Sequence, residues 1–295
     1  LPAPPKLLTP AAGPATPVVS LLTDYGLEDG FVGALHSVIR RAAPQVPIVD
    51  LTHGIARQNV RAGAFALARA ALYLAAGVVV AVVDPGVGTE RRGVAAVAAG
   101  GPAPGISFVG PDNGLLVPAL DALGGATACV ELEDRGYWLK AAGPTFAGRD
   151  IFAPAAALLV RGASLEELGR PVPPETLLRL EPPVLRRLNA GSLEVEATWV
   201  DTFGNVQLAA APDDLDDDLG SVGHVVVSAA GEPLGLARRV RAFAELATGE
   251  LGIFVDSYGH LALCLNGASA AEHLGTKEGD LLVLTRAARS AIGPK

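Results

Sequence analysis

Residues able to do chemistry cluster around Val78 to Arg92, which reads GVVVAVVDPGVGTERR with Gly77 included. An unbroken run of Val and Ala suits a strand buried on both faces, as inside a parallel sheet. Asp84-Pro85-Gly86 ends it, because no central strand continues through that sequence. Arg91 follows Asp84 by seven positions, across a Gly-rich turn. In open α/β sheets ligands bind at the carboxyl ends of strands. A carboxylate acceptor and a guanidinium donor placed there could orient and polarise a small molecule, and Asp84 and Arg91 are the expected catalytic pair.

Other apolar runs also end in an acid: Asp24, Asp112 beside Asn113, and Asp201 in the second half. Asp is a common turn and cap residue, so any one of these could be structural. With few lysines nearby, together they suggest a pocket for a ligand carrying hydroxyls or positive charge. Paired ribose hydroxyls suit a carboxylate acceptor. His36 and His53 have no second His or Cys at ligand spacing, so no metal is expected and His36 reads as structural. Neither a Ser nucleophile elbow, a Walker loop nor an HExxH motif is present. The turn Gly86-Val87-Gly88 could meet an anion, but no Lys-Ser/Thr follows it.

The elements that must position these residues alternate. Val18–Leu22, residues 47–52 and Val78–Asp84 read as strands. Between them, Gly30–Ala42, with Asp29 as its expected N-cap, and Asn59–Ala75 read as helices. Gly93–Ala99, Ile106–Gly110 and Thr127–Leu132 read as further strands. Leu115–Leu123 and Ile151–Val160 read as helices, the latter capped by Asp150. The expected class is α/β, a mostly parallel N-terminal sheet with covering helices, over residues 18–170. A Pro-rich linker is expected over 171–190. Beyond it, 191–295 reads as an antiparallel β domain or small barrel, with strands at Ser192–Val200, Asn205–Leu208, His224–Ser228, Gly252–Asp256, His260–Leu265 and Asp280–Arg286. The acidic run Asp213–Asp218 reads as a solvated loop.

Bulk numbers narrow the classes. The chain has 295 residues, half of them hydrophobic and 18% charged, so a substantial core is possible. A net charge of −8 argues against a general nucleic-acid binder. Cys129 and Cys264 lie in apolar runs and read as buried free thiols rather than a disulfide. No stretch approaches the ~20 apolar residues of a membrane span. Residues 1–17 read as a disordered or extended arm. Without an intact signal peptide, a cytoplasmic location is expected, and processing at the N-terminus stays open because the chain opens on Leu1.

Seven motifs occur in order: TDYGLEDGFVG (Thr23–Gly33), VDLTHGI (Val49–Ile55), VVDPGVGTERR (Val82–Arg92), FVGPDNGLL (Phe108–Leu116), TFAGRDIFAPAA (Thr145–Ala156), DTFGNV (Asp201–Val206) and LNGASAAEHLG (Leu265–Gly275). Together they resemble the S-adenosyl-L-methionine hydroxide adenosyltransferase family, relatives of fluorinase and chlorinase. The resemblance spans about residues 18 to 288. It implies water attack at C5′ of S-adenosylmethionine, giving adenosine and L-methionine with no cofactor. It also implies a homotrimer with sites between neighbouring subunits. By motif position, Asp24 would bind the ribose hydroxyls and Asp29 the methionine ammonium, with Asn113 among the substrate contacts. Asp201, Asn205, Ser257 and Tyr258 would come from the adjacent subunit. Phe203 and Phe243 would pack on adenine, and Asn266-Gly267 would meet its edge through backbone groups.

Within that resemblance, Asp84 and the short Gly100–Gly105 connection point to water rather than halide. The sulfonium already leaves readily, as a neutral thioether, so catalysis lies in placing the nucleophile. Asp84 would orient the water as an acceptor and Arg91 would donate to it; the roles compete, since a neighbouring guanidinium weakens a carboxylate as a base. Three positions depart from the pattern: Ala147 stands where the hydrolases have His, and Gln58 and Gln207 stand where aromatics occur. Two alternatives therefore remain, a chloride-using adenosyltransferase and a non-catalytic S-adenosylmethionine or adenosine binder.

Overall fold

The structure, a computed structural model, describes residues 16–103, 105–189, 191–219 and 223–287. All but the last two residues of the expected N-terminal arm lie outside these. The chain divides into two compact units, Leu1–Leu180 and Glu181–Lys295.

In the first unit the elements run β1 (Val18–Thr23), α1 (Phe31–Ala42), β2 (Ile48–Thr52), α2 (Val60–Ala71), β3 (Gly77–Val82), β4 (Gly93–Ala98), β5 (Ile106–Pro111), α3 (Val117–Ala122), β6 (Ala126–Glu131), α4 (Ala153–Val160) and the short β7 (Arg170–Pro171). The sheet order is β2-β1-β3-β5-β4-β6-β7. The first four strands are mutually parallel. The next, β4, runs antiparallel to both its neighbours, so the sheet is mixed on that side. Every residue of β3 is buried, as its Val/Ala composition implies. Its period of two divides it between two cores. Val79, Ala81 and Val83 pack with Ala64, Leu67 and Leu120, on the face covered by α2 and α3. Val78, Val80 and Val82 pack with Leu35, Ile39 and Ala156, on the face covered by α1 and α4. Both faces being dry, no polar residue is tolerated along β3 until its carboxyl end.

The second unit holds β8 (Leu185–Asn189), β9 (Ser192–Val200), β10 (Val206–Leu208), α5 (Pro212–Leu219), β11 (His224–Ala229), β12 (Glu232–Arg239), β13 (Leu251–Val255), β14 (Leu261–Leu265), α6 (Ala270–Leu274) and β15 (Leu281–Arg286). The order is β10-β14-β13-β12-β11-β15-β9-β8, and an added β10–β9 pairing closes it into a barrel. All its pairings are antiparallel except β12 with β13. The barrel is filled by Leu193, Val195, Val227, Ile253, Leu263 and Leu284.

Several local expectations change. Asp29 does not cap α1; Gly30 takes that position with no side-chain bond, so nothing bonds the first-turn amides from there. Asn59 does cap α2, accepting from Ala62 N at 3.0 Å. Asp150 is no cap either. It is buried inside a π-helical turn, Gly148–Phe152, and takes two bonds from Arg149 at 2.6 and 2.9 Å. The acidic run is helical, as α5, and Asp216 pairs with Arg239. The barrel also includes β12, which is not among the expected strands, while β8, inside the expected linker, pairs with β9 beyond the closing β9–β10 pair. The Pro-rich 171–190 stretch is shared between units: Arg170–Pro171 pairs with β6, and Leu185–Asn189 with β9. Cys129 and Cys264 are buried free thiols.

Phe108 is fully buried on β5, beside the strand that carries the site. Phe108→Ala is expected to destabilise the first unit by about 3–5 kcal/mol, read from denaturant unfolding followed by circular dichroism.

Candidate active site

The turn after β3 is built by short local bonds. Val87 N donates to Asp84 O at 3.2 Å, and Thr89 Oγ1 donates to Gly86 O at 2.7 Å. Gly88 takes φ of +80°, a conformation that favours glycine. A Cβ on Gly86 would lie 3.2 Å from Arg91 Cγ, so the small residue lets Arg91 fold back across the turn. Arg91 Nε donates to Asp84 Oδ1 at 2.8 Å and Oδ2 at 3.0 Å, and Nη2 also donates to Oδ2. The two side chains are 5% and 14% exposed, Asp84 the deeper. The guanidinium also lies over the buried Phe152 ring, 5.3 Å from its centroid. Its orientation is therefore set on two sides.

Asp84 lines a cavity of about 470 Å³ with Asp24, Tyr25, Phe31, Gln58 and Phe146. Ala147, Gly148 and Arg149 complete one wall. Arg91 does not line it. Arg91 meets the cavity through the carboxylate it holds, an arrangement that suits it to orienting Asp84. Asp24 Oδ2 accepts from Gln58 N at 2.8 Å, and Gln58 sits at φ of +61°, an uncommon conformation for a residue with a Cβ. Tyr25, Phe31 and Phe146 meet edge to face, with centroids 5.1 to 5.7 Å apart. Burial pushes the Tyr25 phenol well up, and the charges of Asp24 and Asp84 push it further, so it remains a neutral donor. A Cβ on Gly148 would fall 2.3 Å from the Tyr25 hydroxyl, so the Gly of the TFAGRD motif is needed for that ring.

Two expected first-unit contacts are not brought to this cavity. Asn113 Nδ2 donates to Val83 O at 2.8 Å and its Oδ1 accepts from Leu115 N, so the side chain braces the end of β3 instead. Asp29 lies in the exposed Leu27–Gly30 loop, outside the lining. Asp112 pairs with Arg92 and accepts from Leu178 N at 2.8 Å, a structural use at the same sheet edge. The aromatic trio was missed from sequence. The signal that could have found it is two rings, Tyr25 and Phe31, flanking the first acidic motif.

The second unit gathers its expected residues in one cavity of about 780 Å³: Asp201, Phe203, Asn205, Phe243, Ser257, Tyr258, Asn266 and Gly267 all line it. Asp201 shapes the turn, with Oδ1 accepting from Phe203 N and Asn205 N at 2.9 Å and Oδ2 from Asn205 Nδ2 at 2.8 Å. That bond set lifts Phe203 into solvent, 80% exposed. A Cβ on Gly204 (φ +80°) would lie 2.1 Å from Ser269 Oγ, so this turn is also glycine-dependent. Gln207 Nε2 donates to Asp256 Oδ2 at 2.6 Å, while Asp256 Oδ1 accepts from Tyr258 N and His260 N. Gln207 therefore anchors the loop that presents Ser257 and Tyr258. Asn266 N–H is spent on Glu250 O and its carbonyl accepts from Gly249 N, which leaves Gly267 the more available backbone of that pair. Trp199, Phe254 and Asp256 line the cavity and were missed. In the sequence these positions read only as parts of strands.

Comparison with known proteins identifies the family. Residues 19–169 match the SAM hydroxide adenosyltransferase N-terminal domain, and residues 195–283 match its C-terminal domain. The chain is 47% identical over 270 residues to an (R)-S-adenosyl-L-methionine hydrolase of Salinispora tropica, covering 92% of this chain and 98% of that one. A protein of the same name from Thermus thermophilus is 41% identical, covering 88% and 96%. A fluorinase of Actinopolyspora mzabensis is more distant, at 28% identity over 92% and 97%. Among solved structures, an uncharacterized conserved protein from Thermotoga maritima superposes with a TM-score of 0.82 at 33% identity, covering 91% and 100%. The chain belongs to the SAM hydroxide adenosyltransferase family.

Proposed function

We propose that this protein hydrolyses S-adenosyl-L-methionine to adenosine and L-methionine. The observation that carries the reading is the Asp84 carboxylate, clamped by Arg91 and facing a cavity of about 470 Å³. The reaction needs one water placed behind C5′, in line with the departing sulfur. Orientation of that kind can supply a large part of a rate enhancement. With both oxygens held by the guanidinium, Asp84 presents its remaining lone pairs in a set direction. It accepts a hydrogen bond from the water, and that bond strengthens as the water oxygen gains positive charge in attack. Arg91 acts as the positioning residue for the carboxylate. The water loses its proton toward Asp84 or bulk solvent, and the C–S electron pair leaves on sulfur.

Asp24, already oriented by Gln58 N, is the proposed ribose-hydroxyl acceptor. Phe203 and Phe243 offer flat apolar faces suited to adenine; at 80% and 45% exposure, both gain from being covered. Asp201, Asn205, Ser257, Tyr258 and Gly267 supply the polar contacts around that base and the methionine end. The proposal includes a homotrimer in which the first-unit cavity of one copy and the second-unit cavity of another close on one substrate, and a cytoplasmic location. Among the described residues no helix is long and apolar enough to cross a membrane.

In isotopically labelled water, turnover is expected to place one labelled oxygen in the adenosine 5′-hydroxyl, with no dependence on chloride. A 5′-chloro product, or tight binding with no turnover, would overturn the reading. Asp84→Ala and Arg91→Ala are each expected to bind S-adenosylmethionine in calorimetry yet lose ~10²-fold or more in kcat. Wild-type turnover in either variant would remove the proposed mechanism. Phe203→Ala is expected to act the other way, raising KM about tenfold or more with kcat little changed, as loss of a stacking face does.

A further inference from the structure

Away from the cavity, the fold assembles three groups that no sequence spacing announced. His36 comes from α1, Asp50 from β2, and His53 from the loop that follows β2. One ligand atom from each lies within 4.8 Å of the others. His36 Nε2 is 2.9 Å from Asp50 Oδ1, and His53 Nε2 is 3.0 Å from the same oxygen. We propose that His36, Asp50 and His53 bind one divalent first-row transition-metal ion of the zinc class.

The state of His53 carries the inference. Its side chain is only 3% exposed, so each ring nitrogen needs a partner. Nδ1 has one, Thr23 Oγ1 at 2.8 Å. Nε2 lies 3.0 Å from Asp50 Oδ1 without making a hydrogen bond, and that oxygen already accepts from His36 Nε2 at 2.9 Å. At the near-tetrahedral angles zinc takes, metal bonds of about 2.1 Å place donor atoms about 3.4 Å apart, so Asp50 and the two imidazoles need to part by only a few tenths of an ångström to admit an ion. A ligating histidine usually engages its second nitrogen with a nearby oxygen, which fixes the ring. Thr23 fills that place here. Two imidazoles and one carboxylate form a borderline-soft set that favours zinc and its neighbours over magnesium or calcium. His36 and Asp50 are partly exposed, at 34% and 41%, which leaves an entry path and room for water on the ion.

The consequence is mechanical. Gly26 N donates to His53 O at 2.8 Å, so the His53 loop holds the turn that presents Asp24 and Tyr25. An ion on His36, Asp50 and His53 would tie α1, β2 and that loop together at the edge of the sheet, without touching the reacting atoms.

The test uses the full chain after chelator treatment, with zinc(II) alone as titrant in calorimetry and cobalt(II) as the absorbance probe. One equivalent of zinc(II) is expected to bind, to raise the melting temperature, and to displace cobalt(II) with loss of its visible bands. His36→Gln and Asp50→Asn alter only partly exposed groups, and each is expected to bind at least ~10-fold more weakly while keeping the wild-type circular dichroism spectrum. Absence of saturable zinc(II) binding to the wild type would overturn the proposal in favour of a metal-free His–Asp–His contact. Equal affinity in both variants would overturn it too, by locating the ion elsewhere.

Discussion

The ion pair between Asp84 and Arg91 is the interaction on which the site depends. A carboxylate at the end of a strand buried on both faces is costly unless its lone pairs are matched. Arg91 matches them with a forked contact, and the Gly86–Thr89 turn returns the chain close enough for that contact to form. Phe152 then fixes the guanidinium from below. The result is a carboxylate whose direction is set by the protein before any ligand arrives. That is the useful property for a reaction in which the leaving group is already good and the nucleophile is only poorly placed.

The second unit meets a different requirement. Its cavity is lined by rings and by turns, and its two acids, Asp201 and Asp256, are engaged by their neighbours. The polar groups there are largely occupied with one another: Asp201 with Asn205, and Asp256 with Gln207, Tyr258 N and His260 N. These bonds hold Phe203, Ser257 and Tyr258 in position, which suits a surface that selects a flat base by shape. Gln207 has a structural use of its own: its amide secures the loop that carries two of the expected contacts.

Much of this was legible in the sequence, for physical reasons. The Val/Ala run of β3 and its termination at Asp84-Pro85 identify a buried strand and its chemical end without any alignment. The motif positions of the second unit all fall in one cavity because the turns that carry them are built by their own residues, as Asp201 shows. Other features were hidden. Asp29, Asp112 and Asp150 look alike as isolated acids; the distant Leu178 N on Asp112 and the π-helical turn that buries Asp150 are what separate them from the exposed Asp29. Asn113 follows a strand like Asp84 does, yet a single bond to Val83 O turns it inward. The parallel pairing of β12 with β13 and the contact of His36 with Asp50 join residues far apart in the chain, which local patterning cannot register.

If Arg91 works through Asp84 and not on the water itself, its removal should matter only while the carboxylate is present. The direct measurement is kcat for Asp84→Ala, Arg91→Ala and the double variant under saturating S-adenosylmethionine. The expected result is strong non-additivity, with the double variant no slower than Asp84→Ala alone within about twofold. Losses that multiply, each residue contributing its own factor independently of the other, would contradict the account.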